Sequence, residues 1–298
     1  APLCLIPRHN GIPTVINVDG LDSDRRKWPA LAKSYLRFAE SHAPLWADRA
    51  ITDSHAVADI FERRYGTRIP VVPYGVEDPG HSGTETLERL GLERDRYILF
   101  VGRLEPENNP HLLVDAFTRI DSRRARGMKL VVVGGAPYAS EYIRQVWRAA
   151  DPRVIFPGYV FGRGYWELQH HAYLFCAPTE VGGTHPVILE AMAAGNCVLV
   201  NDHPPNAETV GDAGTYFSRG GGVEDLTEQL GRLLDDPELV RMYRERALRR
   251  AELYSWDAVT DQYEQMLQAV LAQRGGPPPE PSWDGSTQPL TGVGLSAD

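Results

Sequence analysis

Cysteine, long apolar runs and excess positive charge are all scarce in this 298-residue sequence. The three cysteines are an odd number without metal-ligand spacing, which argues against a disulfide framework and predicts a reducing compartment. No apolar run approaches the roughly 20 residues of a membrane-spanning helix, and no signal peptide is recognisable. We therefore predict a cytoplasmic protein.

The formal net charge of −9 bears on the class of partner. A nucleic-acid-binding protein needs a basic face, so nucleic acid is not expected as the main partner. A small anionic ligand needs only a local pocket and is compatible with this charge. Hydrophobic residues make up 42% and charged residues 24%, the balance of a soluble globular protein with a sizeable core.

Short β-branched runs alternate with helical periods, the pattern of an α/β protein with a parallel sheet covered by helices. From residue 97 onward each run is nearly continuous in apolar residues, as expected for strands buried on both faces. The predicted strands are TVINV (14–18), RAITD (49–53), IPVVP (69–73), YILFVG (97–102), KLVVVGG (129–135), VIFPGYV (154–160), YLFCAP (173–178) and CVLVN (197–201).

The composition predicts four segments. Residues 1–74 hold too few strands for a complete doubly wound domain, so an incomplete α/β domain is predicted there. A turn-rich segment then leads into a Rossmann-like domain over 75–255, followed by an amphipathic helix over 256–274. Residues 275–298 are rich in glycine and proline and poor in apolar residues, which predicts a disordered tail.

Two loops at strand ends have the composition of a ligand site. Gly102 and Arg103 follow a strand, and a guanidinium there suits a diphosphate at the carboxyl edge of a parallel sheet. The alternative for Arg103 is a surface ion pair with Glu105 or Glu107. Gly134 and Gly135 end the next strand, where glycine allows close approach of a ligand but equally makes a simple turn.

Asn109 and Pro110 have a structural interpretation. Asparagine is a preferred N-cap and proline a preferred first helical residue, so a helix beginning after Asn109 is predicted with that side chain as its cap.

The stretch 179-TEVGGTHPVILEAMAAG-195 is typical of an anion-binding helix start. Gly182 and Gly183 can present unobstructed amides, and Pro186 suits the first helical turn. Glu190 lies about one turn further and would face hydroxyls, such as those of a ribose, rather than phosphate. The alternatives are an ordinary helix start and a solvated glutamate.

These motifs together resemble the carboxyl-terminal half of retaining nucleotide-sugar glycosyltransferases of the GT-B fold, of the group-1, glycogen-synthase-like type. The resemblance covers about residues 71–271 and includes the segments GR (102–103), GYV, GGTHPVILEAMAAG, ETVGDAGTYF and YSWDAVTDQYEQML. The segment NVDGLDSDRRKWPALAKSYLRFAE (17–40), with GRLEPENN and VGGTHP, is similar to bacterial rhamnosyltransferase-like enzymes of surface polysaccharide assembly.

The resemblance implies a fold and an activity. It implies a GT-B-like fold, with 75–255 binding the nucleotide sugar and 1–74 as part of an acceptor-side domain whose first strands are missing. The helix over 256–274 would pack back toward that domain. It also implies metal-independent transfer to a sugar or lipid-linked acceptor.

In this family two glutamates with seven residues between them flank the glycine loop, the second on the donor ribose and the first on the donor sugar. Glu190 matches the second. The register of the first falls on Gly182, and the nearest glutamate is Glu180, two residues earlier. The backbone amides expected to take over part of the sugar contact belong to Gly183, Thr184 and His185.

Other positions match the family less fully. Arg103 matches its phosphate-binding arginine, but the accompanying lysine is absent and Asn108 stands in that neighbourhood. Val160 and Phe161 correspond to the region that touches the nucleobase. Asp19 falls where many relatives carry a histidine near the reacting sugar; its alternative is a turn residue.

Three functions are compatible with these residues. The first is a glycosyltransferase, the second a nucleotide-sugar-binding fragment without activity, and the third a nucleotide-sugar epimerase on a similar fold. Nothing in the sequence indicates the donor sugar, the nucleobase or the oligomeric state.

The segment 25–38 permits peripheral contact with the inner face of a membrane. It sets basic residues beside Trp28, Leu31, Tyr35 and Phe38, a composition that suits an interface. The favoured alternative is a helix packed into its own domain.

Overall fold

The computed structural model describes residues 2–80 and 83–275, so the predicted tail beyond Gly275 lies outside the described residues. The chain divides into two compact units, and the second unit is interrupted by a short loop that belongs to the first. Of the described residues, the first unit contains 2–75, Val181–His185 and 254–275; the second contains 76–80, 83–180 and Pro186–Leu253.

Helices and strands alternate along the described residues. The α-helices are α1 Leu5–His9, α2 Ala30–Trp46, α3 His55–Tyr65, α4 Glu85–Leu90, α5 Pro110–Thr118, α6 Ser122–Ala125, α7 Ser140–Ala149, α8 Arg163–His170, α9 Pro186–Ala193, α10 Pro204–Val210, α11 Gly222–Asp235, α12 Pro237–Ala251 and α13 Trp256–Gly275. The β-strands are β1 Val15–Asn17, β2 Arg49–Ile51, β3 Tyr97–Val101, β4 Lys129–Val133, β5 Val154–Gly158, β6 Leu174–Ala177, β7 Cys197–Asn201 and β8 Thr215–Phe217.

The second unit is built on a six-stranded parallel sheet in the order β5-β4-β3-β6-β7-β8. This confirms the predicted α/β class and parallel sheet. The chain runs outward in one direction from β3 to β5 and in the other from β6 to β8. The order therefore reverses between β3 and β6, and open sheets of this kind bind ligands beside such a reversal, at the carboxyl ends of the strands.

Apolar side chains on both faces of the central strands explain why this sheet forms. Ile98, Leu99 and Phe100 are successive residues of β3 and all are at most 1% exposed. Ile98 and Phe100 lie on the same face of β3. They pack with helical residues such as Leu113 and Phe117 in a large apolar cluster. Burial on both faces accounts for the near-continuous apolar runs seen in the sequence.

The first unit is smaller, and apolar clusters of its described residues are centred on α3 and on α13. Strands β1 and β2 pair in parallel, and the segment predicted as a third strand, 69–73, contributes only a bridge between Thr52 and Val71. One cluster surrounds the buried Phe61 of α3. In the other, Val259 and Met266 of α13 pack against Ile51.

The large apolar side chains of helix α2 face solvent, whereas a helix packed through them would bury them. Leu31, Tyr35 and Phe38 are 85%, 56% and 51% exposed, so these three side chains do not form the packed face, although the helix does pack through Ala39, Glu40 and Ala43. The buried face contains Glu40, whose carboxylate accepts hydrogen bonds from the Ser23 N–H and hydroxyl at 2.9 and 2.8 Å. Together with the Tyr65 hydroxyl, which donates to Oε2 at 2.7 Å, these bonds favour this rotation of the helix, because breaking them would leave a buried carboxylate short of donors.

No helix among the described residues combines the length and the apolar composition needed to cross a bilayer.

A close backbone approach joins the carboxyl ends of β3, β4 and β5. Gly134 has φ of 129°, and a methyl group on it would lie 1.9 Å from the carbonyl oxygen of Gly102. The Gly134 N–H donates to the Gly158 carbonyl at 2.9 Å, and the Gly102 N–H donates to the Val133 carbonyl at 3.1 Å. Only glycine fits at position 134.

We predict that Gly134→Ala lowers the free energy of unfolding by at least about 2 kcal/mol, since it combines a positive φ with overlap on a backbone atom. Gly135→Ala is the matched control, because its methyl would meet the ring of Tyr159, which is 54% exposed and can rotate away. Urea and thermal unfolding should show a much smaller loss for the control. Equal losses would contradict the close approach.

Candidate functional site

The loops after β3 and β6 are joined by hydrogen bonds at the carboxyl edge of the sheet, where the strand order reverses. The Glu180 N–H donates to the Glu107 carbonyl at 3.0 Å, and the Asn109 side-chain amide donates to the Pro178 carbonyl at 3.0 Å. Because both bonds cross from one loop to the other, the two strand ends form a single rigid edge. Candidate residues Gly102, Arg103, Asn108 and Glu180 all lie on it.

Arg103 is held on one side by a buried carboxylate. Its Nη1 lies 3.6 Å from Glu105 Oε1, and the Glu105 side chain is 2% exposed whereas that of Arg103 is 51% exposed. The Tyr138 hydroxyl also donates to Glu105, and this bond raises the pKa of Tyr138. The ion pair foreseen as an alternative is therefore present, but about half of the Arg103 side chain stays open to solvent and to an anion.

The two asparagines after Arg103 have structural partners. Asn108 donates its side-chain amide to the Arg103 carbonyl at 2.8 Å, which closes the loop around the arginine. Helix α5 does begin after Asn109, at Pro110, but Asn109 does not cap it and instead reaches Pro178 from a left-handed backbone conformation with φ of 51°. The predicted cap is wrong because the side chain is used to join the two loops.

An aromatic pair stands on the loop after β5. The rings of Tyr159 and Phe161 are stacked with centroids 5.8 Å apart and planes 7° from parallel. Phe161 is 79% exposed, and the Tyr159 ring also lies against Gly135 at the end of β4. Val160 lies between them in sequence and is half-buried. An exposed stacked pair offers a flat apolar surface suited to an aromatic ligand.

Glu190 is turned into the second unit rather than out to bulk water. It is half-buried on α9, and its Oε2 accepts a hydrogen bond from the Tyr165 hydroxyl of α8. Among the described residues no other hydrogen bond reaches this carboxylate. The alternative of a freely solvated helix glutamate does not hold, because one oxygen is fixed by a tyrosine.

In the first unit, the loop Val181–His185 is fastened to the ends of β1 and β2. The Gly183 N–H donates to the Asp19 carbonyl at 2.8 Å, and the Thr184 N–H donates to Asp53 Oδ2 at 3.1 Å. The Thr184 hydroxyl donates to the Asp53 carbonyl at 3.0 Å. The expectation that the amides of Gly183 and Thr184 face a ligand is therefore wrong, because the protein itself supplies their acceptors.

The glycines of this loop are explained by packing within the unit. A methyl on Gly183 would lie 2.0 Å from Asp53 Oδ1 and 2.6 Å from the Asp19 carbonyl oxygen. Gly182 has φ of 133°, and a methyl there would meet the His185 ring at 2.8 Å. The structure thus places Asp19 beside the glycine loop, through its main chain, while its side chain is exposed.

Three residues of these sites were missed in the sequence. Asp53 precedes Ser54, which caps α3 by accepting from the Val57 N–H, so only the cap was visible in the pattern. Tyr165 and Gln169 are four residues apart on α8 and share a face, which is a signal for interaction with each other but not with Glu190.

The two buried cysteines are poorly suited to nucleophilic catalysis. Cys176 and Cys197 are buried, and burial raises the pKa of the Cys197 thiol to about 12, so a thiolate nucleophile there is disfavoured. Within residues 2–80 and 83–275, no three His, Cys, Asp or Glu side chains are grouped so as to hold a metal ion.

Comparison with known proteins identifies the family. A family model described as "Glycosyl transferases group 1" matches residues 84–250, more than half of the chain. The chain belongs to this family. The matched range lies in the six-stranded sheet and its helices, and the resemblance inferred from the motifs is confirmed at this level.

Curated relatives of the group 1 glycosyl transferases are longer than this chain. Lipopolysaccharide 1,2-N-acetylglucosaminetransferase of Salmonella typhimurium is 28% identical over 222 residues, which cover 69% of this chain and 58% of that protein. D-inositol 3-phosphate glycosyltransferase of Kineococcus radiotolerans is 27% identical over 287 residues, with coverages of 78% and 60%. The chain thus spans about three fifths of the length of these two relatives.

Solved glycosyltransferase structures share the fold. HepE of Anabaena in complex with UDP-glucose superposes with a TM-score of 0.77 at 18% identity, covering 89% of this chain and 74% of that one. Sucrose-phosphate synthase of Thermosynechococcus elongatus gives 0.72 at 20% identity, with coverages of 87% and 68%. The predicted GT-B-like fold is confirmed, and at these identities the likeness concerns the fold alone.

We predict that Asp53→Ala speeds amide exchange in the peptide covering Val181–His185 by about tenfold or more, because a buried donor without its acceptor costs roughly 1–3 kcal/mol. Hydrogen-exchange mass spectrometry measures this directly. Asp59→Ala is the control, since Asp59 is exposed on the same unit and pairs only with the exposed Arg68 at 3.3 Å. Unchanged protection in Asp53→Ala would refute the role given to this carboxylate.

Proposed function

We propose that this protein transfers a sugar from a nucleoside-diphosphate sugar to an acceptor hydroxyl, with retention at the anomeric carbon. The observation that carries the proposal is the position of two side chains on the segments that follow two neighbouring strands, at the reversal of the strand order. Arg103 follows β3, and Glu190 lies one turn into α9, the helix that follows the neighbouring strand β6. A half-exposed cation for the diphosphate and a fixed carboxylate for the ribose match two adjoining parts of such a donor.

The two side chains suit different parts of the donor for electrostatic reasons. A guanidinium offers paired N–H donors to a diphosphate, whereas a carboxylate repels phosphate and accepts from hydroxyls. Glu190 already accepts one hydrogen bond from Tyr165, so it is held in place as an acceptor. We therefore assign Arg103 to the diphosphate and Glu190 to the ribose.

The reaction breaks the bond between the anomeric carbon and the diphosphate oxygen and forms a bond from that carbon to the acceptor oxygen. Negative charge grows on the diphosphate as it leaves, and the acceptor hydroxyl passes its proton to the departing diphosphate oxygen. Arg103, fixed by Glu105, stabilises that charge without reorganising, and one such donor contributes about 3 kcal/mol in comparable sites. The amides of Gly183 and Thr184 take no part in this assignment.

The remaining candidates are assigned by the resemblance. Val160 and Phe161, with Tyr159 stacked on Phe161, would contact the nucleobase. The diphosphate would approach an edge lined by Gly102, Asn108, Gly134 and Gly135. Glu180, Asp19 and His185 stay candidates for the sugar and acceptor side, with Gly182 giving the loop its shape.

The acceptor class is proposed from relatives. One relative, from Campylobacter jejuni, is named for transfer to a diphospho-undecaprenol-linked sugar and is 24% identical over 184 residues, covering 61% of this chain and 48% of that protein. Another is named for lipopolysaccharide. We propose a sugar or lipid-linked acceptor in the assembly of a bacterial polysaccharide or glycoconjugate, and a reaction that needs no metal.

We predict that Arg103→Ala and Glu190→Ala each weaken binding of UDP, or of the diphosphate that binds best in a thermal-shift screen, by about tenfold or more. Isothermal titration calorimetry measures the change. Arg103→Ala should lose discrimination between the diphosphate and the bare nucleoside, whereas Glu190→Ala should keep it. Arg119→Ala, an exposed arginine of the same unit paired with Asp115, is the control.

Unchanged affinity in both variants would contradict the site. Product analysis with a labelled nucleotide sugar, in the presence of EDTA, then identifies the reaction. Transfer of the label to the acceptor supports the proposal. An isomerised donor identifies an epimerase, and binding without turnover identifies a binding fragment. Loss of transfer on adding EDTA would contradict a metal-independent reaction.

Peripheral membrane contact would use the exposed face of α2. Leu31, Tyr35 and Phe38 stand beside basic residues such as the exposed Arg37, the composition of an interfacial helix. We predict that the protein floats with vesicles containing anionic lipid and that the double variant Leu31→Glu, Phe38→Glu does not. Leu267→Glu, at a 46% exposed leucine of α13, is the control. Equal flotation of all three proteins, or of none, would contradict the contact.

A further inference from the structure

A chain of hydrogen bonds runs from the interior of the second unit to Glu190. The Asn196 side-chain amide donates to Gln169 Oε1 at 3.2 Å and to the Gln169 carbonyl at 2.7 Å. The Gln169 amide nitrogen donates to the Tyr165 hydroxyl at 2.8 Å, and that hydroxyl donates to Glu190 Oε2. These four residues come from α8, α9 and the turn before β7, and all belong to one unit.

The direction of each bond in this chain is determined by the one before it. Asn196 offers N–H groups to Gln169 Oε1, so the Gln169 side chain must present its own NH₂ group to Tyr165. That NH₂ group occupies a lone pair of the phenol oxygen, and the phenol hydrogen then points to the carboxylate. Gln169 and Asn196 are 0% and 1% exposed, so water does not compete for these positions.

The protonation state of Tyr165 agrees with this direction. Burial raises the pKa of the phenol far above its usual value, and the negative charge of Glu190 raises it further. The hydroxyl therefore stays a donor across the whole range in which proteins are assayed. Glu190 Oε2 is permanently engaged, and among the described residues no hydrogen bond occupies Oε1.

We propose that Tyr165, aligned by Gln169 and Asn196, is a positioning residue that holds Glu190 Oε2 and directs Oε1 toward the ribose hydroxyls of the donor. The inference rests on the proposed function, because it assigns the means by which the ribose carboxylate is aimed. Without the tyrosine the glutamate side chain would rotate among its staggered conformers, and hydroxyl recognition would lose its fixed acceptor.

Comparing UDP with 2′,3′-dideoxyuridine diphosphate tests this inference, since the second nucleotide lacks both ribose hydroxyls. Calorimetry on the full chain should show that the unmodified protein prefers UDP by about tenfold or more, the value of a hydrogen bond to a charged group. Tyr165→Phe should reduce this preference several-fold while leaving the affinity for the dideoxy nucleotide unchanged. If Tyr165 served only the stability of the fold, the variant would bind both nucleotides more weakly and to the same extent.

Tyr173→Phe is the matched control. Tyr173 lies in the same unit, is half-buried and donates to the Leu233 carbonyl at 2.8 Å, so its variant loses one hydrogen bond of similar kind without touching Glu190. The control should keep the full preference for UDP. If both tyrosine variants lose it equally, the effect is general and the inference falls.

A second variant reverses the direction of the chain without removing the tyrosine. In Gln169→Glu a carboxylate can accept from both Asn196 and Tyr165, which draws the phenol hydrogen away from Glu190. Thermal unfolding must show that this variant is folded at the temperature of the binding measurement. A folded Gln169→Glu protein that loses the preference for UDP supports the inference, and one that keeps it contradicts the alignment.

Glu190→Ala separates this inference from the proposed function. If Glu190→Ala abolishes the preference for UDP and Tyr165→Phe retains it, the ribose assignment stands and the positioning role is overturned. If the unmodified protein binds neither nucleotide, or Glu190→Ala keeps the full preference, the ribose assignment fails and the positioning role fails with it.

Discussion

Pairing of β3 with β6 is the constraint on which the rest of the second unit depends. Because these parallel strands are neighbours, although distant in sequence, the loops that leave their carboxyl ends meet at one edge. A slip of one residue would exchange the side chains between the two buried faces and disrupt the packing on both, so the packing favours this register. The edge is then joined by Asn109 and Glu180, and Arg103 stands on it with a buried carboxylate behind it.

The charges at this edge suit the ligand proposed above, an anion with hydroxyl groups. Glu105 is buried and holds one side of Arg103, while the other side of the guanidinium meets solvent. Glu190 is held in the same manner by Tyr165. Arg103 and Glu190 each use part of their hydrogen-bonding capacity within the protein. Because each side chain is already held in place, less side-chain entropy is lost when a ligand binds to its remaining donors or acceptor.

The glycine loop has a different role from the one its composition suggested. Gly183 and Thr184 use their N–H groups on Asp19 and Asp53, so the loop is part of the packing of the first unit. A glycine-rich sequence before a helix indicates only that backbone must approach something closely. At Gly183 the close neighbours are a carboxylate and a carbonyl of the protein.

What the sequence alone determined is local: the α/β alternation, the buried parallel strands, the start of α5 at Pro110, and the family likeness in its short motifs. These follow from periodicity and residue type, which act over a few positions. The partners of Asn109, Thr184 and Glu190 were decided by the tertiary structure, as was the outward face of α2. Hydrogen bonds between residues separated by 25 to 131 positions leave no periodic trace, because they depend on which strands become neighbours.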